Sequence, residues 1–320
     1  MSMNFPFPIQ QELTAIALAY RNEHYIADEV LPRTAVPARE FKWQNFTRDE
    51  MFTVPETQVG RKGEPNEVEF TGAETASFVL DYGLDDVVPN EDIASAPPGY
   101  DPLGRATEGI TDLIALDRER RVANLVTNLN TYPADRRVTL SGTSQWSDFT
   151  NSDPYTAIMT AFDAMLMRPN VLVMGRRVWT RLRVHPRITA ALAPSSNGNS
   201  SIVNATGRPV VSTQALAELL EVERIIVGES WVNAARPGQT ASLQRVWGNH
   251  MIAMHQNPAA SIRGNAITFG FTAEWGNRIA GSMSEPKTGL RGAQRVRVGE
   301  SVRELVVAPD TGYFFQHAVA

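Results

Sequence analysis

One stretch limits the folds open to this chain more than any other. Asp101 to Tyr132, DPLGRATEGITDLIALDRERRVANLVTNLNTY, reads as one uninterrupted helix. Asp101 can cap the free N–H groups of the first turn, and Pro102 sits at N1, where its missing N–H costs nothing. Ala106, Ile110, Leu113, Ile114, Val122, Val126 and Leu129 recur at steps of three, four or eight, which is helical periodicity. Pro133 biases Tyr132 away from αR and predicts the end of the run. About thirty residues at 1.5 Å each span roughly 45 Å, against a usual helix of about a dozen residues. Its centre, Asp117 to Arg121, carries five charges in a row. Such an element is either a long surface helix under a sheet or a spine from which the parts of an extended subunit hang.

The rest of the composition narrows the classes. With 320 residues, 42% of them hydrophobic, the chain has room for a sizeable core and for two domains. It contains no cysteine, which rules out disulfides and thiolate chemistry. The first residues, MSMNFPFPIQQ, lack the basic and apolar regions of a signal peptide, and no window approaches eighteen apolar residues. The chain therefore reads as a soluble, cytoplasmically made protein with no membrane partner.

A net charge of −5 argues against a dedicated nucleic-acid binder, but its distribution is uneven. Residues 1–90 carry fifteen acids and seven bases, whereas Arg168 to Ala190 has six arginines and no acid. Only three of the thirty bases are lysine, and arginine is the better residue for planar, bidentate interface pairs. Such segregation suits complementary surfaces on neighbouring copies of one protein better than a single-strand platform, which would interleave aromatic residues.

Along the chain, Ile9 to Tyr20 predicts a short amphipathic helix. His24 to Pro37, with prolines at 32 and 37, predicts an extended arm rather than a packed element. Phe41 to Val59, Val68 with Phe70, and Phe78 to Leu84 have strand-like patterns broken by the exposed turn Val59 to Pro65. Such a β-ribbon has too little apolar area to stand alone. After the long helix, 137–140 and 145–149 read as a small hairpin, and Tyr155 to Leu166 as a core-facing helix. Val171 to Met174 is a buried strand turned by Gly175 into a helix at Arg176. Thr213 to Val222 predicts a helix and Ile225 to Val227 a strand. Further strands are expected at 250–255, 267–275, 295–298 and 303–308. Residues 168–265 thus read as a mixed α/β domain, and no internal repeat is visible.

Catalytic patterns are absent or coincidental. There is no phosphate-binding glycine loop, no Gly-x-Ser-x-Gly elbow and no His-Glu-x-x-His. Ser284-Glu285-Pro286-Lys287-Thr288-Gly289 contains both a Ser-x-x-Lys and a Lys-Thr-Gly string, but one lysine would have to serve two separate roles. The five histidines show no zinc-ligand spacing. Asp81, Asp85, Asp86, Glu91 and Asp92 read as a solvated or inter-subunit face rather than a cation site. No feature calls for a catalytic residue, a cofactor or a metal.

The order of parts resembles the major capsid protein of tailed bacteriophages, with its Hong-Kong-97-type α+β fold. Tyr25-Ile26-Ala27-Asp28-Glu29-Val30-Leu31-Pro32, then Phe41-Lys42-Trp43 and Phe46, look like that family's passage from N-arm to E-loop. Arg168 to Gly175, Val178-Trp179, Leu182 and His185-Pro186 look like its passage into the A-domain. Leu216 to Leu220, Val222-Glu223 and Ile225 to Gly228 look like the next helix and strand. The resemblance implies an N-arm (1–40), an E-loop β-excursion (41–90), and a P-domain (91–167) with the spine helix 101–132. An α/β A-domain (168–265) and returning C-terminal strands (266–320) would complete the subunit.

It further implies a non-enzymatic head protein, made in the host bacterial cytoplasm and assembled into pentamers and hexamers of an icosahedral virion shell. Its partners would be copies of itself, a separate scaffolding protein, a portal protein, a decoration protein where one exists, and packaged double-stranded DNA contacted without sequence specificity. Expected inter-subunit contacts are Arg61, Lys62 and Glu64 at the E-loop tip, Tyr25 and Trp43 near the arm, and Asp117, Arg118, Arg120 and Arg121 at the charged centre of the spine. Residues 10–40 are expected to strap across neighbours. Lys62 occupies the position of a cross-linking lysine in some members, but no motif identifies its partners, so no covalent cross-link is expected. Encapsulins share this fold and enclose cargo enzymes, which makes them the alternative reading; an α/β hydrolase is the enzymatic one.

Overall fold

The computed structural model describes residues 7–45, 54–67, 73–192, 202–203, 209–236, 238–258 and 267–320. In chain order the first elements are α1 (Gln11–Ala19), α2 (Ala27–Val30), β1 (Arg33–Ala35), β2 (Glu40–Asn45), β3 (Ala73–Phe78), β4 (Leu80–Pro89) and α3 (Asn90–Ser95). The spine α4 (Pro102–Val126), β5 (Arg137–Thr139), α5 (Pro154–Ala164), β6 (Val171–Gly175), α6 (Arg176–Leu182) and α7 (Pro186–Leu192) follow. Next come β7 (Ile202–Val203), β8 (Pro209–Val210), α8 (Thr213–Leu220), β9 (Arg224–Gly228), β10 (Trp231–Asn233), β11 (Leu243–Arg245) and β12 (Met251–Met254). Strands β13 (Gly270–Glu274), β14 (Ile279–Glu285), β15 (Ala293–Val306) and β16 (Gly312–Gln316) complete the chain.

Two five-stranded sheets are organised on the spine helix. One has the order β5-β16-β12-β6-β9, with β6 and β9 parallel and β12 antiparallel to β6 and β16. Its β6 is buried on both sides, because alternate side chains serve opposite faces. Leu172 and Met174 join Ile158, Phe162, Leu182, Leu216 and Phe315 in a core built with α5 to α8. Val171 and Val173 face Val122 and Val126 of the spine, with Leu31, Trp247, Ile252 and Phe314. In the other sheet the fourteen-residue β15 pairs with β4 along one edge and with β14 and β13 along the other. This sheet covers the first half of the spine through Val296, Val298, Ala280 and Val88, packed on Ala106, Ile110 and Ile114.

Four expectations change. The spine ends at Val126 rather than Tyr132, followed by a 3₁₀ turn at Leu129–Thr131. The side chains of Thr131 and Tyr132 fold back to donate to the Leu125 and Val126 carbonyls at 2.7 Å, satisfying the end of the helix. The expected hairpin at 137–149 does not form, because β5 pairs in parallel with β16 and Trp146 N donates to Ala318 O. The two strands expected at 295–298 and 303–308 are one, because Gly299 lies opposite Gly83 and two facing glycines let the ladder continue.

The fourth change is the arm. Residues 24–37 form α2 and β1, which pairs in parallel with β13, and Ile26, Ala27, Val30, Leu31 and Val36 are buried. Helix α1 inserts Leu13 and Ala17 against the spine and β14. Residues 10–36 are therefore a packed element, seated on their own subunit through Leu13, Ala17, Ile26, Ala27, Val30, Leu31 and Val36, with Glu12, Leu18, Arg21 and Glu29 left exposed. Pro32 and Pro37 keep the chain extended around β1, but the apolar residues before and between them pack in a groove of the same chain. Of the β-ribbon, β2 and β3 pair antiparallel from Glu40↔Phe78 to Asn45↔Ala73. The strands expected around 46–53 and 68–70 lie outside the described residues, and 54–67 has no regular ladder.

Candidate functional site

The charged centre of the spine divides between interior and surface because successive helical residues turn by about 100°. Arg118 and Glu119 are in phase with the buried Ile114, Val122, Ala123 and Val126 and are themselves buried. Arg118 forms an ion pair with Asp28, donates to Leu31 O at 3.3 Å and to Thr272 Oγ1 at 3.0 Å. Glu119 accepts four hydrogen bonds: from Ile26 N (3.0 Å) and Ala27 N (2.7 Å) on Oε2, and from Ser230 Oγ (3.0 Å) and Trp247 Nε1 (2.6 Å) on Oε1. Burial pushes its carboxyl up, and the four donors pull it back toward the ionised form.

Asp117, Arg120 and Arg121 lie on the outer side. Arg121 pairs with Asp117 and, at 2.9 Å, with Glu304, and its guanidinium stacks 3.5 Å from the Tyr82 ring centroid. Arg120 pairs with Asp117 at 3.0 Å and is exposed. Of these four candidates, Arg118 is enclosed by its own chain, which leaves it no surface to offer a neighbour. Desolvating a guanidinium is tolerated only where it is paired and hydrogen-bonded, and α2 and β13 supply those partners.

A second cluster ties the N-terminal segment to the β15 sheet. Arg33 reaches Asp28 (2.8 Å), Glu274 (2.8 Å) and the buried Glu300 (3.0 Å), while Arg278 binds Glu300 at 2.9 Å and Ala17 O at 2.9 Å. Burial pushes the Glu300 carboxyl up, but Arg33, Arg278 and Arg118 together hold it below the ordinary carboxylate value. Tyr25 donates to Asp112 at 3.4 Å, an aspartate that also accepts from Tyr20 and Asn22, and burial with Asp112 pushes the phenol up to about 12. Trp43 is half-buried, 5.9 Å from the Phe41 ring.

Arg61, Lys62 and Glu64 stand apart from all of this. Every described residue of 54–67 is exposed, and among the described residues these three make no ion pair. Elsewhere, β4, the α3 region and the spine enclose an open groove of about 830 Å³, lined by residues that include Leu84, Asp86, Asp92, Tyr100, Arg105 and Leu113. The structure thus separates the nine candidates into an exposed tip, a paired outer face of the spine, and residues absorbed by the subunit.

Sequence reading missed Glu119, Trp247, Arg33 and Glu300 as organising residues. For Glu119 one signal existed: its position in the apolar stripe of the helix. Nothing local marked Trp247 or Glu300, whose partners are supplied by distant segments. Ser284 and Glu285 are the last two residues of β14, and Glu285 binds Arg295 at 2.9 Å. His250 packs against Phe314 and His317. In the acidic cluster, Asp81 pairs with Arg39, Asp85 with Arg295 and Arg297, and Glu91 with Arg291. Among the described residues no group of three or more His, Asp or Glu could hold a metal, and no helix is long and apolar enough to cross a membrane.

No protein-family model matches the chain. It is 52% identical over 317 residues to the major capsid protein of Pseudomonas phage JBD67, covering 99% of each chain. It is 28% identical over 227 residues to the major capsid protein of Burkholderia phage BcepMu, covering 68% of each. Among solved structures, a phage-related protein from Bordetella bronchiseptica RB50 superposes with a TM-score of 0.75 at 22% identity, over 98% of this chain and 99% of that one. Sequence kinship along its full length and the two sheets hung on one spine helix agree: the chain belongs to the major capsid proteins of tailed bacteriophages and has their Hong-Kong-97-type fold.

Proposed function

We propose that this major capsid protein builds the head shell by joining copies of itself into pentamers and hexamers around double-stranded DNA, and that it does so without catalysis. The observation that carries the assembly reading is the exposed segment 54–67, which lies in the chain between the paired strands β2 and β3 and makes no ion pair among the described residues through Arg61, Lys62 or Glu64. A segment that cannot cover itself is completed by a neighbour. The groove beside β4 offers the complementary chemistry: Asp86 and Asp92 for Arg61 and Lys62, Arg105 for Glu64, and exposed Leu84, Tyr100 and Leu113 for apolar residues. The domain map follows, with 41–90 as the E-loop, the spine in the P-domain, and the sheet containing β6 in the A-domain. Heterologous contacts of this kind close as rings. A separate scaffolding protein, a portal and, where one exists, a decoration protein would act on the shell inside the host cytoplasm, and the finished subunit would reside in the virion.

Charge reversal at the tip, Arg61→Glu with Lys62→Glu, tests this. The variant subunit should melt like the wild type yet fail to form shells in negative-stain images when expressed with its neighbouring phage genes. Normal shells from the variant would overturn the tip-docking reading.

A further inference from the structure

The charge of this chain is uneven, and residues 274–320, with five acids and six bases, are close to neutral. Residues 164–273 contain eleven arginines, no lysine and four acids, whereas residues 1–163 contain twenty-six acids and thirteen bases. Two of the four acids are engaged locally, Glu221 by Arg168 at 2.7 Å and Glu229 by Arg176 at 2.6 Å. Arg177, Arg181, Arg187 and Arg236 are exposed and make no ion pair among the described residues. The A-domain is therefore a positive body attached to a negative one.

At its border stands the hairpin of β10 and β11, in register Trp231↔Arg245 and Asn233↔Leu243. Residues two apart on a strand, and those directly opposite, share a face, so Trp231, Leu243 and Arg245 point the same way. Trp231 is 49% exposed and Leu243 64%. The Arg245 guanidinium lies 4.0 Å from the Trp231 ring centroid and is itself anchored to Glu229 O at 2.5 Å, while Arg176 grips the Glu229 carboxylate. The indole is thus pre-positioned on the surface. A rigid tryptophan beside an arginine and an exposed leucine has the composition of a protein contact; phosphate would have no use for Leu243.

We propose that the Trp231–Leu243–Arg245 face is a subunit contact that receives the acid-rich part, residues 1–163, of a second copy of this chain. This rests on the shell-assembly reading. Charge decides the orientation: two A-domains face to face would set a surplus of seven positive charges against seven more, whereas residues 1–163 offer a surplus of thirteen negative ones. The contact is therefore heterologous, and distinct from docking of the ribbon tip.

The absence of cysteine makes a direct test simple. Leu243→Cys provides a single thiol at an exposed position, to be labelled with a benzophenone maleimide and irradiated in assembled particles of the full-length chain. The expected adduct is intermolecular and maps by mass spectrometry to residues 1–163 outside the tip 54–67. An adduct to the tip, to residues 164–320, to packaged DNA, or to no partner at all would overturn the proposal. In parallel, Trp231→Ala with Leu243→Ser should leave subunit melting unchanged and raise the threshold concentration for assembly at least tenfold; an unchanged threshold counts against it. Failure of the wild-type chain to assemble would instead reject the shell reading, and the contact with it.

Discussion

Trp247 Nε1 donates a 2.6 Å hydrogen bond to Glu119 Oε1, across 128 positions of sequence. The same carboxylate oxygen accepts from Ser230, and its other oxygen accepts from Ile26 and Ala27 at the start of α2. One side chain on the spine therefore fastens both the N-terminal segment and the loops that flank β10 and β11. No cation contacts Glu119 among the described residues, so four neutral donors carry its solvation.

Glu119→Ala should destabilise the folded subunit by at least about 1–3 kcal/mol, the usual cost of leaving a buried donor unsatisfied. A shift of the urea unfolding midpoint reports it. A midpoint equal to that of the wild type would mean that the four donors find other partners.

Gly228 sits where any Cβ would overlap the Trp247 indole. Gly228→Ala should displace that ring, loosen its bond to Glu119, and cost about 1–3 kcal/mol through overpacking. Both the melting temperature and the tryptophan emission should change; retention of both would contradict the contact.

Removal of Leu31, which is fully buried between the spine and the β6 sheet, should cost about 2–5 kcal/mol in Leu31→Ala. Thermal melting of the unassembled subunit is the measurement. A variant that melts normally but assembles poorly would return residues 24–37 to the role of an outward strap.

Acid should weaken the subunit through Glu300. Its folded carboxyl is held below the ordinary value, so its contribution is fully present above about pH 4.5 and is lost as pH falls through the folded value. The penalty of Glu300→Gln, measured by chemical denaturation, should be large at pH 7 and shrink as pH falls below about 4.5. His250 acts in the same direction from a higher starting point. Burial and His317 push its imidazole down to about 4, so neutral His250 supports the fold above roughly pH 6.5 and that support declines on acidification toward 4. Its ring resonances should stay unshifted between pH 8 and 5; a midpoint near 6.5 would exclude the buried placement.

Local pattern reached far in this chain. The cap at Asp101, the Pro102 start and the apolar stripe placed the spine, and Asp101 does accept from Leu103 N at 3.0 Å. The buried β6, the turn at Gly175 and the strand at 225–227 were legible for the same reason: period and punctuation are properties of neighbouring residues. The exposed tip was legible too, since glycine, proline and charge in one short run leave nothing to bury.

Partner choice was not legible. Whether Asp117 to Arg121 faced solvent, a neighbour or the interior depended on which segments came to meet it, and those are α2, β13, β15 and the loops around Ser230 and Trp247. The arm looked extended because its prolines forbid a long helix, yet its apolar residues entered a groove made by strands more than two hundred positions later. By itself the sequence determined the elements, their order and the uneven charge, because these follow from adjacent side chains. Only the tertiary structure decided that Arg118 and Glu119 hold one subunit together from within, because the free energy of a buried charge is set by the donors and counter-charges that surround it in space.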